Sequence, residues 1–176
     1  MKSQLANKFN RPINKLFFIG IGGSSMSGLA TMALSQGFSI EGSDMIASSY
    51  TEKLEGLGIK VHIGHDYKNI PDDTDCVVYS AAIHDDNPDM VKATDLNLPK
   101  IERSSFLGLF SHIFDKTIAV ATAAIRNAAN GAELVARVAE ETGIQLHIIS
   151  GNTEAYISYL GVINTLNVKD GIIFDL

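Results

Sequence analysis

Short, continuously apolar runs alternate along this chain with longer segments whose apolar residues recur every three or four positions. The runs "KLFFIGI" (15–21), "FSIEGSD" (38–44), "IKVHIGH" (59–65), "DCVVYSAAI" (75–83), "LPKIE" (98–102), "KTIAVATAAI" (116–125), "IQLHIIS" (144–150) and "DGIIFDL" (170–176) are predicted strands. Between them, 25–37, 48–58, 87–97, 104–114, 130–143 and 152–166 are predicted helices. The boundaries carry chemical signals. Gly37 suits a helix C-terminus, Ser or Thr stands near the start of 48–58, and Asn87 followed by Pro88 suits an N-cap and a first helical position. In 130–143, Leu134, Val135 and Val138 share one side, with Glu140 and Glu141 outside. The opening "MKSQLANKFNRPIN" is polar and reads as a short arm before the first strand. Strands alternating with helices at this spacing define an α/β fold with a mostly parallel sheet flanked by helices. Periodicity does not give the strand order.

The 176 residues suffice for one large domain or two small ones. Net charge is −6 with no cluster of Lys or Arg, which argues against a nucleic-acid partner. Cys76 stands alone inside an apolar run, so it reads as a small buried hydrophobe in a chain from a reducing, cytoplasmic compartment. No run of 18 apolar residues and no signal-peptide core is present, so no membrane association is expected. His62, His65, His84, His112 and His147 come without HExxH or CxxC spacing, so no metal site is expected. "DDTD" and "HDDNPD" read as solvated loops and helix N-caps.

The chemistry concentrates after the first strand. Gly20, Gly22 and Gly23 lie between a strand and a helix, where glycines let backbone approach an anion and helix-end N–H groups face it. Ser24, Ser25 and Ser27 add hydroxyls, but Ser25 stands where a dinucleotide fingerprint has glycine. Asp44 ends the second strand, where an acid can bond ribose hydroxyls. A tight turn without ligand, and a helix-capping or loop aspartate, are the alternatives.

Residues 14–121 carry a resemblance. "FIGIGGSSMSGLA", "GSD", "TEKLEGLGIKVHIGHD", "VVYSAAIHDDNPDM" and "ERSSFLGLF", in that order, resemble the N-terminal domain of the Mur ligase family of peptidoglycan synthesis. The resemblance implies a Rossmann-like domain that binds the UDP part of UDP-N-acetylmuramate. It places Gly22, Gly23, Ser24 and Met26 at the diphosphate loop and Ser43 and Asp44 near the uridine ribose. It sets His65 and the turn Ser80, Ala81 and Ile83 along the nucleotide or sugar. In that family "IAVA" leads into a glycine-rich, lysine-containing ATP loop. Here it leads into "TAAIRNAANGAEL", and no GKT or GKS occurs.

Residues 118–176 resemble instead a segment of the exopolyphosphatase/guanosine pentaphosphate phosphatase family, whose fold is actin-like and RNase H-related. The similar motifs are "ATAAIRNAAN", "SGNTEA" and "LGV". The resemblance implies a phosphate contact for Arg126 and a place in the catalytic region for Glu154, although surface and helix-end roles also account for both. Thr153 departs from the acidic residue common there.

The two plans share the strand 117–122. The expectation is a Rossmann-like part, 1–121, and an αβαβ part, 116–176, in one merged domain, the sheet extended by a βαβ segment of actin-like origin. An engineered chimera without catalysis and without a cofactor, keeping UDP or UDP-N-acetylmuramate binding, is the simplest account. A natural fragment with residual phosphatase activity, or a NAD-type protein using Gly20–Ser25 and Asp44, is the alternative. The association state is expected to be a monomer or an edge-strand homodimer.

Overall fold

The computed structural model describes residues 1–111 and 119–166. It divides into two units, Met1–Asp115 and Lys116–Leu176. In the first, β1 (Lys15–Ile19), β2 (Ser39–Asp44), β3 (Lys60–Ile63), β4 (Cys76–Tyr79) and β5 (Lys100–Glu102) form one parallel sheet in the order β3-β2-β1-β4-β5. Helices α1 (Lys2–Phe9), α2 (Ser24–Ser35), α3 (Ser49–Gly56), α4 (Pro88–Asp95) and α5 (Arg103–Ser111) accompany it.

β1 is central and buried on both faces, so it reads as an unbroken apolar run. Successive side chains point to opposite faces. Leu16 and Phe18 join a core with Leu29, Ala30 and Ala33 of α2, Leu54 of α3 and Phe106 of α5. Phe17 and Ile19 join a second core with Met90 and Ala93 of α4. Helices therefore cover both faces, with α2 and α4 on opposite ones.

The caps follow local chemistry. Ser48 and Thr51 form a reciprocal capping box at α3. Asn87 accepts the N–H groups of Asp89 and Met90, with Pro88 at the first position of α4. Past α2, Gly37 takes a φ of 82°, while its N–H and that of Phe38 bond the carbonyls of Leu34 and Ala33.

The opening segment departs from the arm expected of it. Met1, Leu5 and Phe9, spaced by four, lie along one side of α1 and pack on the first core, with Leu5 fully buried. Asn10 ends the helix in the left-handed region, at φ 51°. β4 is also shorter than the apolar run containing it. After Tyr79 the chain turns, and the Ile83 N–H bonds the Ser80 carbonyl at 3.0 Å.

Cys76 lies in the core as expected, fully buried. Burial pushes its thiol up to about 12. The thiolate is the reactive form. Aromatic disulfide reagents should therefore leave Cys76 unmodified in native protein at pH 8 and label it on unfolding.

Between β1 and β2, the Lys15 ammonium bridges Glu41 (2.8 Å) and Asp73 (2.7 Å), and His62 and Lys60 approach Glu41. Burial raises the Glu41 carboxyl, but the hydrogen bond and charge of Lys15, with His62 and Lys60, outweigh it and hold the group below its ordinary value. A depressed carboxylate contributes stability that is present above its unfolded pKa and lost as pH falls through its folded value. Chemical denaturation should show wild type more stable than Glu41→Gln at pH 7, with the gap closing as pH falls below the ordinary glutamate range.

In the second unit, β6 (Ala119–Ala121) and β7 (Leu146–Ile148) pair in parallel. With them stand α6 (Ala123–Arg126), α7 (Gly131–Thr142) and α8 (Gly151–Leu166). Among the described residues this pair is a separate two-stranded sheet, not the extension of the first sheet expected above. The strand expected over 116–125 covers only 119–121 of the described residues. Thr122 is extended and its carbonyl accepts the N–H groups of Ile125 and Arg126, so the alanines that follow, good helix formers, start α6. Leu134, expected on the packed side of α7, is 37% exposed, while Val135 and Val138 are half-buried. The strand expected at 170–176 lies outside the described residues, as does His112.

Candidate functional site

In a parallel sheet every C-terminal strand end lies on one edge. The loops after β1, β2, β3 and β4 therefore gather there, and with them the glycines, Ser43 and Asp44, His65, and Ser80–Ile83. The chain leaves β1 toward α2 and leaves the adjacent β4 toward α4, on opposite faces. This is the switch point at which open α/β sheets form a ligand crevice. Gly20 lies at that point: a Cβ built on it would stand 3.8 Å from both Ser80 Oγ and Ile83 Cδ1. Ala81 is exposed on the same turn.

The glycine loop is held by its own backbone and by Asp44. Gly20 has a φ of 81°, and the N–H groups of Gly20 and Ile21 both donate to the Ser43 carbonyl, at 2.8 and 2.9 Å. Asp44 Oδ2 accepts the Gly22 N–H at 2.7 Å, and Oδ1 accepts the Ile46 N–H at 3.3 Å. A Cβ on Gly22 would fall 2.9 Å from that carboxylate and from Thr51 Cγ2, so this glycine admits the bond. Asp44 thus shapes the loop, the loop role weighed for it rather than helix capping, and its half-buried carboxylate stays at the crevice edge.

Gly23 is the N-cap of α2, with no side-chain cap and no acidic residue in the first turn. The N–H groups of Ser24, Ser25 and Met26 have no acceptor among the described residues, while the Ser27 N–H is taken by the Gly23 carbonyl at 2.8 Å. Met26 turns its side chain into the core and offers only its amide. Three free donors converge at the positive end of a twelve-residue helix, favouring an anion by about 0.3–1 kcal/mol through the dipole alone. Ser25, the departure from the fingerprint, accepts a hydrogen bond from Arg103 Nη1 at 3.1 Å. Arg103 opens α5 just past β5 and sets a cation beside these amides. Sequence reading missed it. Its signal was its place directly after the C-terminal end of a parallel strand.

Ser43 and His65 meet a third residue. The Ser43 hydroxyl donates to Asp89 Oδ2 at 2.8 Å, and His65 Nδ1 lies 2.6 Å from the same oxygen. In "HDDNPD" His84, Asp85 and Asp86 are exposed and Asn87 caps α4, as expected, whereas Asp89 is fully buried. Asp75 of "DDTD" is likewise engaged, accepting the N–H groups of Asn14 and Lys15 at 2.8 and 2.9 Å.

In the second unit the structure brings Arg126 and Glu154 together. Arg126 Nη1 donates to Glu154 Oε2 at 3.0 Å and to the Ile149 carbonyl at 2.8 Å. Ser150 caps α8, accepting the Thr153 N–H at 3.1 Å. Among the described residues no group of three or more His, Cys, Asp or Glu could hold a metal ion, and no helix is long and apolar enough to cross a membrane.

A five-stranded parallel sheet in this order, with a glycine loop at its switch point, defines a Rossmann-like α/β protein. Residues 15–115 match the Mur ligase family, catalytic domain, and the chain belongs to that family. Residues 102–176 match the Ppx/GppA phosphatase family. A UDP-N-acetylmuramate–L-alanine ligase of Sulfurihydrogenibium sp. (strain YO3AOP1) is 39% identical over 149 residues, covering 84% of this chain and 32% of the relative. That of Clostridium kluyveri is 52% identical over 94 residues, covering 53% and 21%. The crystal structure of UDP-N-acetylmuramate–alanine ligase from Thermotoga maritima has a TM-score of 0.58 at 31% identity, covering 61% of this chain and 25% of that one. The chain thus spans about a third or less of these relatives' length.

Proposed function

We propose that the first unit holds the UDP part of UDP-N-acetylmuramate at the switch point and that the chain carries no ligation of its own. The observation that carries this reading is the set of free amides of Ser24, Ser25 and Met26 beside Arg103. A diphosphate supplies the charge and the several acceptors such a set satisfies. Asp44 offers its remaining lone pairs to ribose hydroxyls, and Met45 and Ile46, 63% and 67% exposed, offer an apolar lip to a base. The relatives' names, which give UDP-N-acetylmuramate as substrate, support the choice of nucleotide. Residues inside the chain speak against catalysis. Where the family's ATP loop would follow "IAVA", this chain has "TAAIRNAANGAEL", with no lysine and no paired glycines.

The change of plan near residue 116 is read as a chimera of a Rossmann-like part, about 1–121, and a phosphatase-family part, about 116–176. The two family matches overlap only at 102–115, which supports a junction there. A UDP-linked ligand and one unpaired cysteine fit a cytoplasmic setting.

Calorimetric titration with UDP-N-acetylmuramate, UDP and NADH tests the reading. Saturable binding of both UDP ligands and none of NADH is expected. Binding of NADH alone would replace it with the dinucleotide alternative, and binding of none would remove the site. The phosphatase alternative rests on Arg126 and Glu154. With that guanidinium engaged by Glu154 and the Ile149 carbonyl, no phosphate release from polyphosphate with Mg²⁺ is expected.

A further inference from the structure

Asp89 is a buried carboxylate that neither the glycine loop nor the N-cap of α4 requires. Its Oδ2 receives the Ser43 hydroxyl at 2.8 Å and faces His65 Nδ1 at 2.6 Å. Its Oδ1 is enclosed without a partner. Leaving a buried acceptor unsatisfied costs stability, so the position is held against that cost. His65 is itself enclosed, with its side chain 8% exposed, on the loop after β3 at the same sheet edge as Asp44. Its Nε2 makes no hydrogen bond among the described residues, whereas Nδ1 is committed.

We propose that Asp89 is the positioning residue for His65. It fixes the ring as the Nδ1–H tautomer, so that Nε2 presents a lone pair to a hydrogen-bond donor on the nucleoside of the bound nucleotide. The proposal rests on the UDP reading of the crevice. The chemistry is direct. An ionised carboxylate only accepts, so the 2.6 Å contact requires the hydrogen on Nδ1, and a neutral imidazole protonated there is an acceptor at Nε2. Two nucleoside groups have the matching donor, the N3–H of uracil and the ribose hydroxyls. Ser43 completes the arrangement: its hydroxyl donates to Oδ2 at 2.8 Å and lies 3.2 Å from His65 Nδ1, so the three groups form one cluster. Because Asp89 itself is fully buried, its effect on the ligand passes through His65.

The test uses the whole chain labelled with ¹⁵N-histidine, with His65 signals assigned by their loss in His65→Gln. Two-bond ¹H–¹⁵N spectra read the tautomer directly. Wild type should show Nδ1 protonated and Nε2 bare, and Asp89→Ala, which removes the acceptor facing Nδ1, should move His65 toward the Nε2–H form. UDP affinity should fall about tenfold in Asp89→Ala, which is 1.4 kcal/mol. An unmoved tautomer, or an unchanged UDP affinity, in folded Asp89→Ala overturns the proposal. Should Asp89→Ala fail to fold, wild type and His65→Gln decide with modified ligands. A loss of affinity for 3-methyl-UDP or for 2′-deoxy-UDP that is present in wild type and absent in His65→Gln identifies the donor, and the same response in both proteins overturns the proposal. UDP binding with His65 in the Nε2–H form would sink this inference alone. An Nδ1–H tautomer with no UDP binding would sink the reading of the crevice and this inference with it.

Discussion

Gly42→Val is expected to cost the first unit about 3 kcal/mol, the upper end of what overpacking a core costs. Gly42 lies in β2 opposite Phe18 of β1. A Cβ there would stand 2.6 Å from the Phe18 carbonyl oxygen, 2.7 Å from Ile21 Cδ1 and 3.0 Å from Ile21 Cβ. The first of these is backbone of the central strand, so no rotamer change relieves it. Ile21 cannot retreat easily either, because it is fully buried and its N–H is bonded to the Ser43 carbonyl. Valine has good strand propensity, so propensity alone would call the change favourable, and the clash decides against it. A fall of about 10 °C or more in melting temperature, measured by circular dichroism, is the expected result. An unchanged melting temperature would mean that β1 and β2 are not in this register.

Gly23→Ala should do the reverse, removing ligand binding while leaving the fold nearly intact. Gly23 has φ −64° and ψ 143°, a conformation open to any residue. A Cβ there would meet the Gly20 carbonyl at 3.6 Å and the Met26 side chain at 3.9 Å, both ordinary contacts. The folding cost is therefore that of a poorer N-cap, at most about 1 kcal/mol. A diphosphate reaching the amides of Ser24, Ser25 and Met26 must pass close to Gly23, and an added methyl holds it away. The affinity for UDP should fall about tenfold or more, read by calorimetry beside a melting curve shifted by only a few degrees. Undiminished affinity in Gly23→Ala would place the ligand elsewhere.

The elements that were legible in the sequence are those with a local cause. β1 announces itself because both faces are buried, and α3 and α4 do so through Ser48, Asn87 and Pro88. The glycine loop is equally local, since strand, glycines and helix adjoin. α1 was missed because three apolar residues at a spacing of four, Met1, Leu5 and Phe9, are diluted by polar neighbours. Arg103 and Asp89 were missed for a different reason. Each meets its partners only once the strand order is known, Arg103 across 78 residues from Ser25 and Asp89 across 46 from Ser43. An aspartate in the first turn of a helix is explained by the helix alone, so nothing local distinguishes a buried one. The separate pairing of β6 with β7 was illegible for the same reason, because one apolar run fits an extended sheet or a second sheet alike.

The central claim is that the free amides at the start of α2 receive the diphosphate of a UDP ligand. It is tested most directly by following backbone amide signals in ¹H–¹⁵N spectra while UDP is added to the whole chain. The signals of Ser24, Ser25 and Met26 should move together and saturate at one affinity, while Val135 and Val138 of α7 stay fixed. Saturable UDP binding that leaves Ser24, Ser25 and Met26 unmoved would contradict the account.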